Sequence, residues 1–320
     1  MSWRDSPDTM KNDFVRYDQR ILKILLQDRT TKKNIIWATK DYEAMGPAYN
    51  AAEEILPETL ADMEGRGFST RAQKDEEEKN SRTRDKAEVF TPAWICNAQN
   101  NLVDEAWFGR KNVFNTPDHE TWVPQPGPIV FPEEKHKGWK NYVDARRMEI
   151  SCGEAPYLVS RYDVVTGEEF SVEKRIGLLD RKLRVVTENA ADEKEWIFWS
   201  LRAFQSIYGY EYQGDNLLLA RFNLLMTYQD YYRRAWGHEP AFLEVSRIAT
   251  VISWNLWQMD ALTYGPPLRD LQAEIREMNL FSDDEQGGIF VENPAESRCN
   301  IKDWRSKVIL KYYALVKGEK

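Results

Sequence analysis

From residue 147 to about residue 262 the chain alternates short strand-like runs with longer helix-like ones, and this alternation restricts the fold most. MEIS (148–151) precedes IGLLDRKLRVV (176–186) and EKEWIFWSLRAFQ (193–205), whose apolar residues recur at helical spacing. SIYGYEY (206–212) has strand character, DNLLLARFNLLMTYQDYY (215–232) is helical, and EVSRIATVISWNLWQ (244–258) runs from helix into strand. Strands separated by helices predict an α/β fold, a mostly parallel sheet flanked by helices. No internal repeat is visible.

Upstream, DFVRYDQRILKILLQD (13–28) sets Phe14, Ile21, Ile24 and Leu25 near helical spacing, and KNIIWAT (33–39) reads as a short strand. Residues 64–88 are almost wholly polar and read as a solvated helix or linker, in which Arg82, Arg84 and Lys86 form the one basic cluster suited to phosphate. Pro92 can open a helix at its first turn, and Ile95, Leu102, Val103 and Trp107 follow at helical spacing. Residues 115–139 hold five prolines and predict a loop. The resulting division is a helical N-terminal extension with a polar linker (1–85) and a main domain (86–320).

With 320 residues and 42% apolar side chains, the chain can bury a large core. No apolar run reaches the ~20 residues of a membrane span, and the polar N-terminus has no signal-peptide character. Cys96, Cys152 and Cys299 form no Cys-x-x-Cys pair, so neither a disulfide framework nor a zinc site is expected, and a reducing cytoplasm is the simplest home. His119, His136 and His238 are scattered without metal spacing, and no G-x-S-x-G is present. The net charge of −8 argues against tight solitary binding to DNA, because phosphate neutralisation needs a basic footprint, although a local groove can supply one.

Three acidic positions lie at expected strand ends. EISCGEAP fits a strand followed by a turn in which glycine allows close backbone approach, although an acid beside a glycine is also common in ordinary turns. Glu211 closes the next strand, where a carboxylate can take both hydroxyls of a ribose; it can equally be a surface acid at a strand edge. Asp215 or Asn216 is placed to cap the following helix. VISWNLWQMDAL (251–262) predicts a third strand ending at Asp260, an acid able to accept from an exocyclic adenine amine or simply to cap a helix. Cys152 lacks a histidine partner and reads as a small loop residue rather than a nucleophile. The tryptophans of the EKEWIFW and ISWNLW segments read as core.

VFTPAWICNAQNNLVDE, EISCGEAPYL, YGYEYQGDNLLLARFNLL and NLWQMDAL, in that order, resemble the F-T-P, first, second and third motifs of adenine-N6 DNA methyltransferases. The likeness covers roughly residues 82–262 and is nearest to restriction–modification "subunit M" proteins. It implies a class-I, Rossmann-like fold and S-adenosylmethionine as cofactor. Phe90, Thr91 and Pro92 would flank the methionine part, and Glu149 with Cys152, Gly153, Glu154, Ala155 and Pro156 would form the loop beneath it. Glu211, with Tyr212 beside it, would hold the ribose, and Asp260 would lie near the adenine. The implied partners are double-stranded DNA and a companion protein subunit.

The chain departs from that family in three ways. Ala155 and Pro156 replace the usual second glycine of the turn, and proline offers no N–H. The 62 residues from Glu149 to Glu211 exceed one crossover helix, implying an insertion over 160–195. The Asn/Asp/Ser-Pro-Pro-aromatic quartet that holds and stacks a flipped adenine is absent. TYGPPL (263–268) has Gly265 and Leu268 around its prolines, and Asn293-Pro294 is followed by Ala295 and Glu296. The catalytic residue is therefore unassigned. Transfer to adenine N6 and a non-catalytic module of the same fold, binding cofactor or a partner in phage–host conflict, both remain open.

Overall fold

A computed structural model describes residues 18–63, 91–269 and 298–318. Phe90, the cluster Arg82/Arg84/Lys86 and Asn293-Pro294 lie outside these residues. In chain order the elements are α1 (Gln19–Leu26), α2 (Pro57–Asp62), α3 (Ala93–Phe108), β1 (Asn115–Asp118), β2 (Thr121–Pro124), α4 (Trp139–Asp144) and β3 (Arg147–Glu149). They continue as α5 (Leu178–Asn189), α6 (Glu193–Gln205), β4 (Ile207–Glu211), α7 (Gly214–Trp236), α8 (Phe242–Asn255), β5 (Leu256–Gln258), β6 (Asn300–Asp303), β7 (Val308–Lys311) and α9 (Tyr312–Lys317).

The centre is a parallel sheet ordered β3-β4-β5, with Glu149 opposite Gly209 and Glu211 opposite Gln258. Side chains alternate across such a sheet. Ile207 and Leu256 join the main core with Leu217, Leu218 and Leu225 of α7. Tyr208, Tyr210 and Trp257 pack instead on Cys299, just before β6, and on Ile301 and Leu310 of the β6–β7 hairpin. α7 is buried on several sides, so its Leu-rich sequence needs no polar face. Residues 18–63 are part of the same core through Leu22, Leu25, Ile35, Trp37 and Ile55. No helix among the described residues is long and apolar enough to cross a membrane.

Five local expectations change. The third strand is only three residues long, because Val251, Ile252 and Ser253 belong to α8 and are buried with Val245 and Ile248 at helical spacing. Asp260 consequently lies in a turn beyond the strand. KNIIWAT makes only isolated bridges, Gln27–Asn34 and Ile36–Glu54, because Ile36 gives both backbone groups to the Gln258 side chain, at 2.9 and 2.8 Å. The proline-rich loop contains the β1–β2 hairpin, held by Trp122 donating to the Lys174 carbonyl at 2.7 Å. Asp215 and Asn216 sit within the first turn of α7; Gln213 holds the N-cap position. The long crossover contains both α5 and α6, preceded by an irregular stretch with a Tyr162–Glu169 bridge.

Candidate functional site

The C-terminal ends of β3, β4 and β5 open onto one cavity of about 1260 Å³. Its construction begins at Gly209. A Cβ there would come within 3.3 Å of the Glu149 carbonyl and 3.4 Å of the Cys152 sulfur, so glycine in mid-strand lets the turn after β3 fold back closely. Cys152 N–H then donates to the Tyr210 carbonyl at 2.8 Å, continuing the β3–β4 ladder.

Two carboxylates hold the turn. Glu211 accepts from Gly153 N–H at 2.9 Å and from Gln213 N–H at 3.1 Å. Glu149 accepts from the amides of Tyr157 at 3.3 Å and Leu158 at 3.1 Å. The backbone between them alternates through the left-handed region at Ser151 (φ 47°), Gly153 (φ 53°) and Ala155 (φ 65°). Ala155 thus adopts the conformation glycine usually supplies, at a cost met by its complete burial in the core.

Thr91, Glu149, Cys152, Gly153, Pro156, Glu211, Tyr212 and Asp260 all line the cavity. Three other candidates do not. Pro92 is the N-cap residue of α3, its carbonyl accepting from Ile95 and Cys96. Glu154 is buried elsewhere and accepts from the Tyr162 hydroxyl at 2.6 Å, while its carbonyl takes the Asn223 amide at 3.1 Å. Ala155 packs in the core as described. The alternating backbone is the cause: it points Gly153 at the cavity and its two successors inward.

The structure adds walls the sequence did not indicate. Ala38, Thr39, Lys40 and Asp41 close one side, brought there because Gly214 N–H donates to the Trp37 carbonyl at 2.9 Å and Tyr42 donates to Asp215 at 2.8 Å. Gln99 and Asn100 of α3 form another side, and Gln213 lies beside Glu211. Only glycine permits this approach at position 214: a Cβ there would lie 2.0 Å from the Ile36 carbonyl oxygen.

Burial pushes the Glu211 carboxyl up to about 7, outweighing the backbone donors that favour its charge. Burial also raises Glu149 well above the carboxylate range, with the Glu211 charge adding to it, and raises the Cys152 thiol, so that sulfur is not an activated nucleophile. Asp180, buried in the first turn of α5, is raised to about 6, chiefly by desolvation. Each carboxyl holds its proton in the folded state above the pH at which the unfolded chain releases it. Stability contributed by these neutral forms is present at low pH and is lost as pH rises through the folded values. The urea midpoint is therefore expected to fall between about pH 5 and about pH 7.5, and Glu211→Gln is expected to flatten that decline.

Among the described residues no group of acidic, histidine and cysteine side chains could hold a metal ion. The cavity can instead receive a polar organic molecule: carboxylates at two adjacent strand tips, a backbone turn between them and aromatic and apolar surfaces around. No protein-family model, no curated protein and no solved structure matches the chain.

Proposed function

We propose that the chain has a class-I, Rossmann-like methyltransferase fold, binds S-adenosylmethionine in this cavity and transfers its methyl group to adenine N6 in double-stranded DNA. The setting would be a restriction–modification or phage–host conflict system, with a companion protein subunit. The observation that carries the reading is the contact between Gly153 N–H and Glu211 at 2.9 Å, which joins a turn and an acid at neighbouring parallel strand tips. In open α/β sheets this is where nucleotide-like ligands bind.

The residues fit the cofactor. Each Glu211 oxygen already accepts one backbone amide and retains a lone pair for a ribose hydroxyl. Asp260 accepts from Leu262 N–H at 2.8 Å through one oxygen, and its residue borders the same cavity. The volume of about 1260 Å³ exceeds the ~300–1,000 Å³ of ordinary ligand clefts and leaves space for an extruded base beside the cofactor. The cofactor supplies an electrophilic methyl on a sulfonium with a neutral thioether as leaving group. The protein's share is positioning: Glu211 fixes the ribose, the 152–156 turn sets the depth of the methionine part, and Thr91 borders it from the start of α3.

A non-catalytic binding module is favoured by one observation. Pro266-Pro267 borders the cavity's rim through Leu268 yet lacks an acceptor before it and an aromatic after it. Two measurements separate the readings: calorimetry with S-adenosylmethionine, and N6-methyladenine in plasmid exposed to the protein. Methylation abolished by Glu211→Ala supports the enzyme. Binding without methylation supports the module, and no binding by the folded wild type rejects the enzyme and a cofactor-binding module alike. Because an ionised Glu211 is the better hydroxyl acceptor, affinity is expected to rise with pH through about 7.

A further inference from the structure

Charge is spread unevenly over the molecule. Residues 298–318 carry six basic side chains and one acidic one, Asp303, in a chain whose formal charge is −8. Asp303 is paired with Arg146 at 2.8 Å, and Arg305 with Asp144 at 2.8 Å. Lys302, Lys307 and Lys317 have no ion pair among the described residues, and Lys307 and Lys317 are exposed. The turn at 29–33 joins the β6–β7 hairpin through Asn300 N–H, which donates to the Thr30 hydroxyl at 2.9 Å, and it adds Arg29, Lys32 and Lys33. Asp28, the acid before that turn, is buried and bound to the amides of Thr30 and Thr31 at 3.1 and 3.0 Å. Where the two segments meet, cations lie against indole rings: Lys302 Nζ is 4.3 Å from the Trp304 ring and 5.5 Å from Trp254, and the Arg29 guanidinium is 5.5 Å from Trp254. At its other end the hairpin is bonded to the rim of the cavity. Cys299 N–H donates to the Tyr264 carbonyl at 2.9 Å, and the Tyr264 ring lies 5.5 Å from Tyr313 of α9. Asp260 and Leu268, on either side of Tyr264 in sequence, line the cavity.

We propose that the face formed by the β6–β7 hairpin, α9 and the 29–33 turn holds the phosphate backbone of duplex DNA beside the cavity mouth. The proposal rests on the DNA reading above and deepens it by naming the surface that meets the duplex. Lysine and arginine that neutralise phosphates release condensed counterions, and this supplies most sequence-independent affinity for DNA. An acidic chain can bind a polyanion only by gathering cations on one side, which also steers the duplex to approach in that orientation. The indole rings matter here. They hold Lys302 and Arg29 through their π faces rather than through a carboxylate, so both cations keep their full charge for phosphate. Continuity with the rim favours duplex DNA over a lipid surface as the occupant. A strand following the hairpin passes Tyr264, and a base turned out of its stack there enters the cavity between Asp260 and Leu268.

The test uses the full chain and a short fluorescein-labelled duplex, with anisotropy measured over a series of salt concentrations. Lys307→Glu/Lys317→Glu alters two exposed side chains of the face, and Lys302→Ala removes the cation between the two tryptophans. Lys111→Glu/Lys194→Glu makes the same change of charge on exposed lysines of other elements. Lys307→Glu/Lys317→Glu is expected to weaken binding roughly tenfold or more and to reduce the salt slope by about 2. Lys302→Ala should weaken it severalfold, and the control pair by much less. Thermal midpoints and calorimetry with S-adenosylhomocysteine should match the wild type in every variant, since none of these lysines lines the cavity. Equal losses in the face and control pairs would reduce the effect to net charge and overturn the proposal. So would a wild type that binds phosphatidylserine vesicles more tightly than the duplex, or one that does not bind the duplex at low salt. Duplex binding left intact by both face variants sinks this inference alone and leaves the DNA reading standing, whereas the cofactor reading stands or falls on the calorimetry.

Discussion

Replacing Gly214 by alanine is expected to cost about 3 kcal/mol or more and to open the cavity. The added Cβ would lie 2.0 Å from the Ile36 carbonyl oxygen and 2.9 Å from its carbon. Neither side can readily give way. Ile36 is held through both backbone groups by Gln258, and Gly214 itself donates to the Trp37 carbonyl at 2.9 Å. Relief requires the 34–55 segment to lift from α7 and β5, which removes the wall formed by Ala38 to Asp41 and exposes Trp37 and Ile55. Urea denaturation reads the stability loss, and calorimetry reads the accompanying loss of ligand affinity. Gly138→Ala is the matched control: its nearest neighbour would be 3.8 Å away, and its stability should be nearly unchanged.

The second large effect concerns how α3 is held over the cavity. Arg181 of α5 is 1% exposed; it pairs with Asp104 of α3 and donates to Asn97 and Asn101, each at 2.9 Å. Asp104 also accepts from the Tyr142 hydroxyl at 2.8 Å, and Asn97 exchanges amide bonds with Asn115 at 2.9 and 2.8 Å. The network fixes the rotation of α3, the helix that brings Gln99 and Asn100 to the cavity wall. Arg181→Met leaves the Asp104 carboxylate buried without its counter-charge, and a loss of about 3–5 kcal/mol is expected. The double variant Arg181→Met/Asp104→Leu should recover much of that loss, because the unpaired charge goes too. A double-mutant cycle in urea measures the coupling; additive losses would show that the ion pair is not the unit that matters.

The parts of the fold that could be read from sequence are those whose signals are local. α5, α6 and α7 carry long apolar periodicity, and Glu211 closes the short run IYGY whose end is also a strand end; the first strand, expected over 148–151, instead spans Arg147–Glu149. The third strand was misplaced because VISWN has β-branched and aromatic residues, which favour a strand in isolation, while burial of Val251 and Ile252 beside Ile248 makes it helix. Within the turn, SCGEAP does not reveal which side chains face the cavity. That depends on positive φ at Ser151 and Ala155, residue types that seldom adopt it. The wall from Ala38 to Asp41 was illegible for a different reason. Its anchors, Gln258 and Gly214, lie more than 170 residues away along the chain, and neither carries a pattern that names its partner.

These features share one premise: Glu211 and the Gly153 turn form the floor of a nucleoside site. Crystals grown with saturating S-adenosylhomocysteine test it most directly. The account expects both ribose hydroxyls within hydrogen-bonding distance of the Glu211 carboxylate, with the 152–156 turn beneath the amino-acid end. A ligand bound away from Glu211, or none at a concentration that saturates comparable sites, would contradict it.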